Sequence, residues 1–422
     1  MNAETNSFRE EEMYTALNRV REENAHLPTF CYFTDLVYEW YEGRMRFMSD
    51  PQVIVMGTGI PDELLRAAGI LPCYILGGSH ESCIWSDDSM PRDADPVSRS
   101  MQGLLQRPGT GDKKGALFLV PLSSDSMRKM ASRLVREGHK VVTVDMPPLK
   151  EEPEAVRKWE DQLVHMLDEV TAYAKTRVTA GSLEREIGRA FHARRYMRSL
   201  WRKIYGYGDS LTFSGRILLQ NSYYYTENLE EWTRMLRVLL NEMQEKRRGI
   251  LSRKGNPKSN ILLMGSPVYF PNNKLPELFA GTGLRVIQNI DASTGVFDII
   301  PKVSGAGRSP RRMVERIAKA YLRSDLSSSG IRNEALRRKV QDVVRTEAIE
   351  GVVFHILKGQ LEGDFELAYF ESFFESLNIP VFRLETDYQY QDVEQLRIRL
   401  EAFSEMLSRR RIAEELGGRR AV

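Results

Sequence analysis

The chain has 422 residues, 42% of them hydrophobic and 28% charged, and its 60 basic and 58 acidic side chains leave a formal net charge of only +2. That balance argues against a general nucleic-acid or membrane surface, and no run of about 18 apolar residues exists to span a bilayer. Three cysteines, Cys31, Cys73 and Cys83, form no CxxC pair and cannot build a disulfide framework. With a polar N-terminus lacking the apolar segment of a secretory signal, the expected compartment is the reducing cytoplasm.

In chain order, residues 1–50 read as a helical segment, with aromatic and aliphatic positions interleaved among charges. From Pro51 short apolar runs with β-branched residues alternate with amphipathic stretches. Strands are predicted near 53–56, 73–76, 116–121 and 140–145, with helices at 61–68 and 126–137 between them. Residues 51–151 thus form a first α/β domain. Residues 152–255 lose the strand signal and read as a helical bridge. Residues 256–422 form a second α/β domain, with strands near 260–264, 284–288, 352–357 and 381–384 and a final helix from 392 to about 411. The basic clusters at 409–411 and 419–420 read as a solvated helix end and tail.

The two strand-rich regions follow one plan. Residues 53–75 run strand, Gly57, Pro61, helix, Gly69, strand, and residues 261–287 run strand, Gly265, Pro271, helix, Gly283, strand. The next units, 115–145 and 351–385, match as well. This pattern predicts a duplicated α/β unit of the doubly wound kind, with ligand at the carboxyl ends of the two sheets.

Four loops could carry chemistry. Gly57-Thr58-Gly59-Ile60-Pro61 joins a strand to a helix start whose free N–H groups could hold an anion, although the full GxGxxG fingerprint is missing. In the loop from Met90 to Pro96, Arg92 could meet a phosphate, but pairing with Asp93 and Asp95 is favoured. Ser124 is placed to cap a helix that opens with Asp125 and Ser126. Without a GxSxG elbow or an assigned base, it does not read as a nucleophile. The run from Ser304 to Arg312 combines glycines, Arg308 and two further arginines with Ser309 and Pro310 at a helix start, and is the strongest phosphate candidate on physical grounds. The six histidines have no metal-ligand spacing, and His355 alternates within an apolar strand as a core or sheet-end residue would. Tyr223-Tyr224-Tyr225 could line a pocket, but such clusters more often fill a core.

Several segments taken together resemble the subunits of 2-hydroxyacyl-CoA dehydratases and the related benzoyl-CoA reductases. They are Pro61-Asp-Glu-Leu-Leu-Arg-Ala-Ala-Gly69, Met90-Pro-Arg-Asp-Ala-Asp-Pro96, Gly265-Ser-Pro267, the stretch from Glu350 to Lys358, and Leu384-Glu-Thr-Asp387 with the following helix to Phe403. The resemblance covers about residues 51–407 and implies two Rossmann-like domains with added helices. It also implies a [4Fe-4S] cluster held by three cysteines of the first α/β domain, at positions that fall here on Gly57, Asp95 and Ser124. A frequent cysteine of the second domain falls near Gln360. Thiolates are the usual ligands of such clusters, and none stands at these positions.

What the resemblance implies is therefore a subunit that binds no cofactor of its own and metal at none of these sites. It would act in a heteromeric acyl-CoA dehydratase or reductase complex with a paralogous subunit bearing the [4Fe-4S] cluster. An ATP-dependent activator or another redox component would be a further partner. Thr58, Arg92, Asp125, Gln360 and Arg308 are the expected substrate contacts, and Asp95, Ser124 and His355 the candidates for chemistry. Two alternatives stay open: a stand-alone binding or regulatory protein using the interdomain cleft, and a cluster-free acyl-CoA enzyme using Asp95 or His355 as acid or base.

Overall fold

The computed structural model describes residues 11–44, 52–107, 113, 115–207, 210–250, 258–301, 309–325 and 333–419. Two helices open the chain, α1 (Glu11–Glu23) and α2 (Phe30–Glu39), the latter running into a π-helical turn over Trp40–Arg44. The first sheet is built by β1 (Val53–Met56), α3 (Asp62–Ala67), β2 (Cys73–Ile75), α4 (His80–Trp85), α5 (Pro96–Gln106), β3 (Leu117–Pro121), α6 (Asp125–Arg136) and β4 (Lys140–Val144). Four helices follow: α7 (Pro153–Ala174), α8 (Ala180–Tyr207), α9 (Phe213–Tyr225) and α10 (Leu229–Ile250). The second sheet begins with β5 (Ser259–Gly265), α11 (Lys274–Phe279), β6 (Leu284–Asp291) and the single turn α12 (Ala292–Gly295). It continues with α13 (Pro310–Leu322), α14 (Glu334–Thr346), β7 (Gly351–Leu357), α15 (Leu361–Ser376), β8 (Val381–Thr386) and α16 (Val393–Arg419).

Both sheets are wholly parallel and share one strand order, β2-β1-β3-β4 and β6-β5-β7-β8. The predicted α/β class and the paired plan of the two regions therefore stand. The inner strands β1, β3 and β7 are buried at every residue, because helices cover both faces and leave no solvent side for polar residues. The edge strands β4 and β8 alternate, turning Lys140, Thr143 and Arg383 outward, which blunts their free edges. In each sheet the crossovers leave the first strand in one direction and reach the third in the other. The clefts at the carboxyl ends of β1 and β3, and of β5 and β7, are thus the topological switch points.

The helical block ties the halves together. Helix α9 is buried along nearly its whole length, from Ser214 to Tyr225, and α1 and α2 pack on it. The three tyrosines are core: Tyr225 stacks on Trp40 with ring centroids 4.2 Å apart, Tyr224 meets Tyr74 edge-on, and Tyr223 hydrogen-bonds to Asp62. Helix α8 touches α3 of the first sheet and α13 and β6 of the second. Its Arg194, fully buried, reaches Asp62 and Glu63 on α3, Tyr223 on α9 and Tyr321 on α13. Burial pushes both carboxyls up. The Arg194 and Arg66 guanidiniums nevertheless bring Asp62 below its usual range, while Glu63, facing the charge of Asp62, stays raised.

Candidate functional site

The switch points of the two sheets face each other across a cavity of about 140 Å³. From the first sheet come Gly57 and Thr58 after β1, Asp95 and Ser98 at the start of α5, and Ser123 and Ser124 after β3. From the second come Ser266 and Pro267 after β5, Asp291 at the end of β6, Gln360 after β7, and Glu362 and Glu366 on α15. Of the residues singled out from sequence, Thr58, Asp95, Ser124 and Gln360 are brought together here. Arg92 is not: its side chain is 82% exposed and meets Asp87 at 3.6 Å rather than Asp93 or Asp95. Asp125 is exposed in the first turn of α6, outside the cavity wall. Arg308 lies outside the described residues, although Pro310 does open α13 as expected.

Asp95 occupies the centre of a bonded chain that crosses between the sheets. As N-cap of α5 it accepts from the backbone N–H groups of Val97 and Ser98 at 3.3 and 3.1 Å, and from the Ser98 hydroxyl at 2.7 Å. Its Oδ1 also accepts from Gln360 Nε2 at 2.8 Å. Gln360 Oε1 accepts in turn from Ser266 Oγ at 2.6 Å, and that hydroxyl accepts from Leu357 N–H at 2.8 Å. Gly359 makes this approach possible. At φ +86° it adopts a left-handed conformation, and a Cβ there would lie 3.0 Å from Asp93 O and Asp95 N.

His355 belongs to the same region but not to the cavity. It is buried in β7, with Nδ1 3.2 Å from Ser266 O and Nε2 2.8 Å from Thr386 Oγ1. The carbonyl can only accept, so Nδ1 carries the proton and Nε2 accepts from threonine. Burial pushes its pKa down to about 4, which keeps the ring neutral. Of the three candidates for chemistry, Asp95 and Ser124 line the cavity and His355 does not. Ser124 caps α6, accepting from Met127 N–H at 3.3 Å.

The electrostatics were not legible in the sequence. Five carboxylates, Asp95, Asp291, Asp325, Glu362 and Glu366, line the cavity, and no Lys, Arg or His is among the described lining residues. Burial raises the pKa of Glu362, and the charges of Asp95 and Asp125 raise it further. Burial also raises Glu366, against the pull of Arg337 and Lys150. Asp291 is raised by burial, offset by bonds from Ser293 and Asn289. The wall is otherwise largely apolar, with Met101, Met127, Met264, Ile290 and Phe354. Such a chamber accepts an uncharged polar group on an apolar stem and rejects an anion.

The sequence profile of the family "2-hydroxyglutaryl-CoA dehydratase, D-component" matches residues 58–407. The chain belongs to that family. It is also 22% identical over 374 residues, 85% of this chain and 91% of the other, to YjiM of Escherichia coli (strain K12), which is provisionally named a dehydratase subunit.

At the three positions where the resemblance implies cluster ligands, the chain places no thiolate. Gly57 has no side chain, sits at φ +81°, and a Cβ there would lie 3.1 Å from Met101 Cε. Asp95 has both oxygens engaged, and the Ser124 hydroxyl is taken by the helix cap. The three cysteines lie elsewhere: Cys31 is exposed on α2, Cys73 is buried in β2, and Cys83 is buried in α4 with its pKa pushed up to about 12 by burial. Among the described residues no group of three or more His, Cys, Asp or Glu side chains is arranged to hold a metal ion, and no helix is long and apolar enough to cross a membrane.

Proposed function

We propose that this chain is a subunit of an acyl-CoA dehydratase or reductase complex that shapes an acyl-thioester chamber but carries no cluster of its own, electron delivery belonging to a cluster-bearing paralogue. The observation that carries this reading is the Asp95–Gln360 hydrogen bond. It joins Asp95, where the resemblance implies a ligand cysteine, to Gln360, near which a frequent cysteine of the second domain falls, and it fills the space between them with a bonded polar pair. The cavity beside it supports the substrate class. Its methionine-rich wall suits an acyl chain.

The test uses the chain purified anaerobically from its native host. The expected result is co-purification of a cysteine-bearing relative, with iron and visible absorption following that relative when the two are separated. Roughly four irons retained by this polypeptide, or isolation without any relative, would sink the proposal.

A further inference from the structure

Asp95 and Gln360 are engaged in short bonds, but one pair of hydroxyls in the same cavity is not. Thr58 follows β1 of the first sheet, Tyr269 follows β5 of the second, and both line the cavity. Their oxygens lie 3.4 Å apart, and Thr58 Oγ1 is 3.5 Å from Ala292 O. An O–H···O bond normally measures about 2.5–3.0 Å, so both contacts are long and the two hydroxyls keep donor capacity.

Both backbones are fixed from behind. Asn221 of the buried helix α9 accepts from the N–H of Phe270 at 2.8 Å, and Asn272 N–H donates to Tyr269 O at 3.1 Å. Gly78 packs against the same turn, where a Cβ would lie 2.7 Å from the carbonyl oxygens of Tyr269 and Phe270. On the other side Gly57 N–H, directly before Thr58, donates to Ile75 O at 2.7 Å. Burial, reinforced by the charges of Asp291 and Asp95, pushes the pKa of Tyr269 up, so the phenol keeps its proton. A ligand therefore meets two donors already in place, one from each sheet.

Two O–H donors 3.4 Å apart can both reach a single oxygen at about 2.7–2.8 Å. The carboxylates of the wall disfavour an anion there, and Met101, Met264 and Phe354 favour an apolar stem, so the matching acceptor is an uncharged carbonyl. We infer that Thr58 and Tyr269 donate jointly to the thioester carbonyl oxygen of the ligand and so direct its acyl chain along the methionine-lined wall. The assignment rests on the function proposed above, and it adds the two residues that orient the reacting group.

Calorimetric titration of the full chain with butanoyl-CoA and with S-butyl-CoA tests it, since in the second probe a methylene replaces the carbonyl. The parent should bind butanoyl-CoA about tenfold more tightly. Tyr269→Phe keeps the ring and removes the hydroxyl. It should weaken butanoyl-CoA about three- to tenfold at an unchanged melting temperature and leave S-butyl-CoA within about twofold. Thr58→Val, which keeps the branched shape, should do the same, and the double variant should bind the two probes alike. If Tyr269→Phe does not fold, Thr58→Val carries the comparison. Equal affinity of the parent for both probes, or variants that weaken both probes equally or neither, overturns the role of the two hydroxyls and leaves acyl-CoA binding standing. A parent that binds neither probe overturns the acyl-thioester reading itself, and this assignment with it.

Discussion

Gln360 Nε2 donates to Asp95 Oδ1 at 2.8 Å, so one amide–carboxylate bond spans the turn after β7 and the cap of α5. Each partner is already committed on its own side: Asp95 to three donors of α5, Gln360 to Ser266. The bond therefore links two rigid local structures, not two loose side chains, and little entropy is lost in making it.

Truncation should expose that coupling. Asp95→Ala removes a cap worth about 1 kcal/mol and leaves the half-buried Gln360 amide without its acceptor, for a total of about 1–3 kcal/mol. Gln360→Ala alone should cost less, because Asp95 keeps its other donors. A double-mutant cycle by urea unfolding should give a coupling energy of about 1–2 kcal/mol. A coupling near zero would mean that water replaces the bond at no cost.

Gly57 should resist any side chain. Gly57→Ala places a Cβ at φ +81° and 3.1 Å from Met101 Cε, and the conformational part alone should cost about 1–2 kcal/mol. Adding Met101→Ala should relieve the crowding but leave the backbone cost. Full recovery of the melting temperature in the double variant would show that only the contact with Met101 mattered.

Arg194 should be indispensable for stability. Arg194→Met leaves Asp62 and Glu63 buried without their counter-charge and should destabilise by about 3–5 kcal/mol in chemical denaturation. Arg194→Lys should recover less than half of that, since an ammonium cannot reach two carboxylates and two tyrosine hydroxyls as the planar fork does. A lysine variant as stable as the parent would reduce the role of the residue to charge alone.

His355 supplies a pH signature. Its folded-state pKa is depressed to about 4, while the unfolded chain takes up this proton near 6.5. Between those values the unfolded state binds more protons, so stability falls as pH drops through that window, by about 3 kcal/mol at its foot. The stability gap between the parent and His355→Gln, measured by urea unfolding, should narrow by about that amount from pH 7 to pH 4. A gap that stays constant would mean that the histidine titrates normally when folded.

The strands were legible because buried parallel strands are continuous apolar runs, and all eight predicted positions carry one. The convergence of Thr58, Asp95, Ser124 and Gln360 was legible because doubly wound sheets bring strand-end loops together. The acidic wall was not. Glu362 and Glu366 lie one turn apart on α15, and in sequence that spacing looks like any solvated helix face; only the opposing sheet makes it a cavity lining. Arg194 was hidden in the same way, one arginine among many on a long charged helix, and its burial depends on three elements distant in sequence. Arg92 misled because a loop rich in charge and proline carries no sign of which way its side chains turn.

The interior is not one body. A large apolar cluster runs from α1 through the helical block and both faces of the first sheet to the inner face of the second. A smaller cluster lies apart on the other face of the second sheet, where Leu262, Met264, Phe354 and Ile356 meet Val340 of α14 and Phe370 and Phe374 of α15. Strand alternation divides them: Ile261 and Leu263 belong to one cluster, Leu262 and Met264 to the other. The layer over the smaller cluster also carries Leu336, Glu362 and Glu366 of the cavity wall. Two interiors predict two cooperative units: amides of α14 and α15 should exchange with solvent water through an opening that leaves the main interior folded, and that opening would uncover the cavity wall.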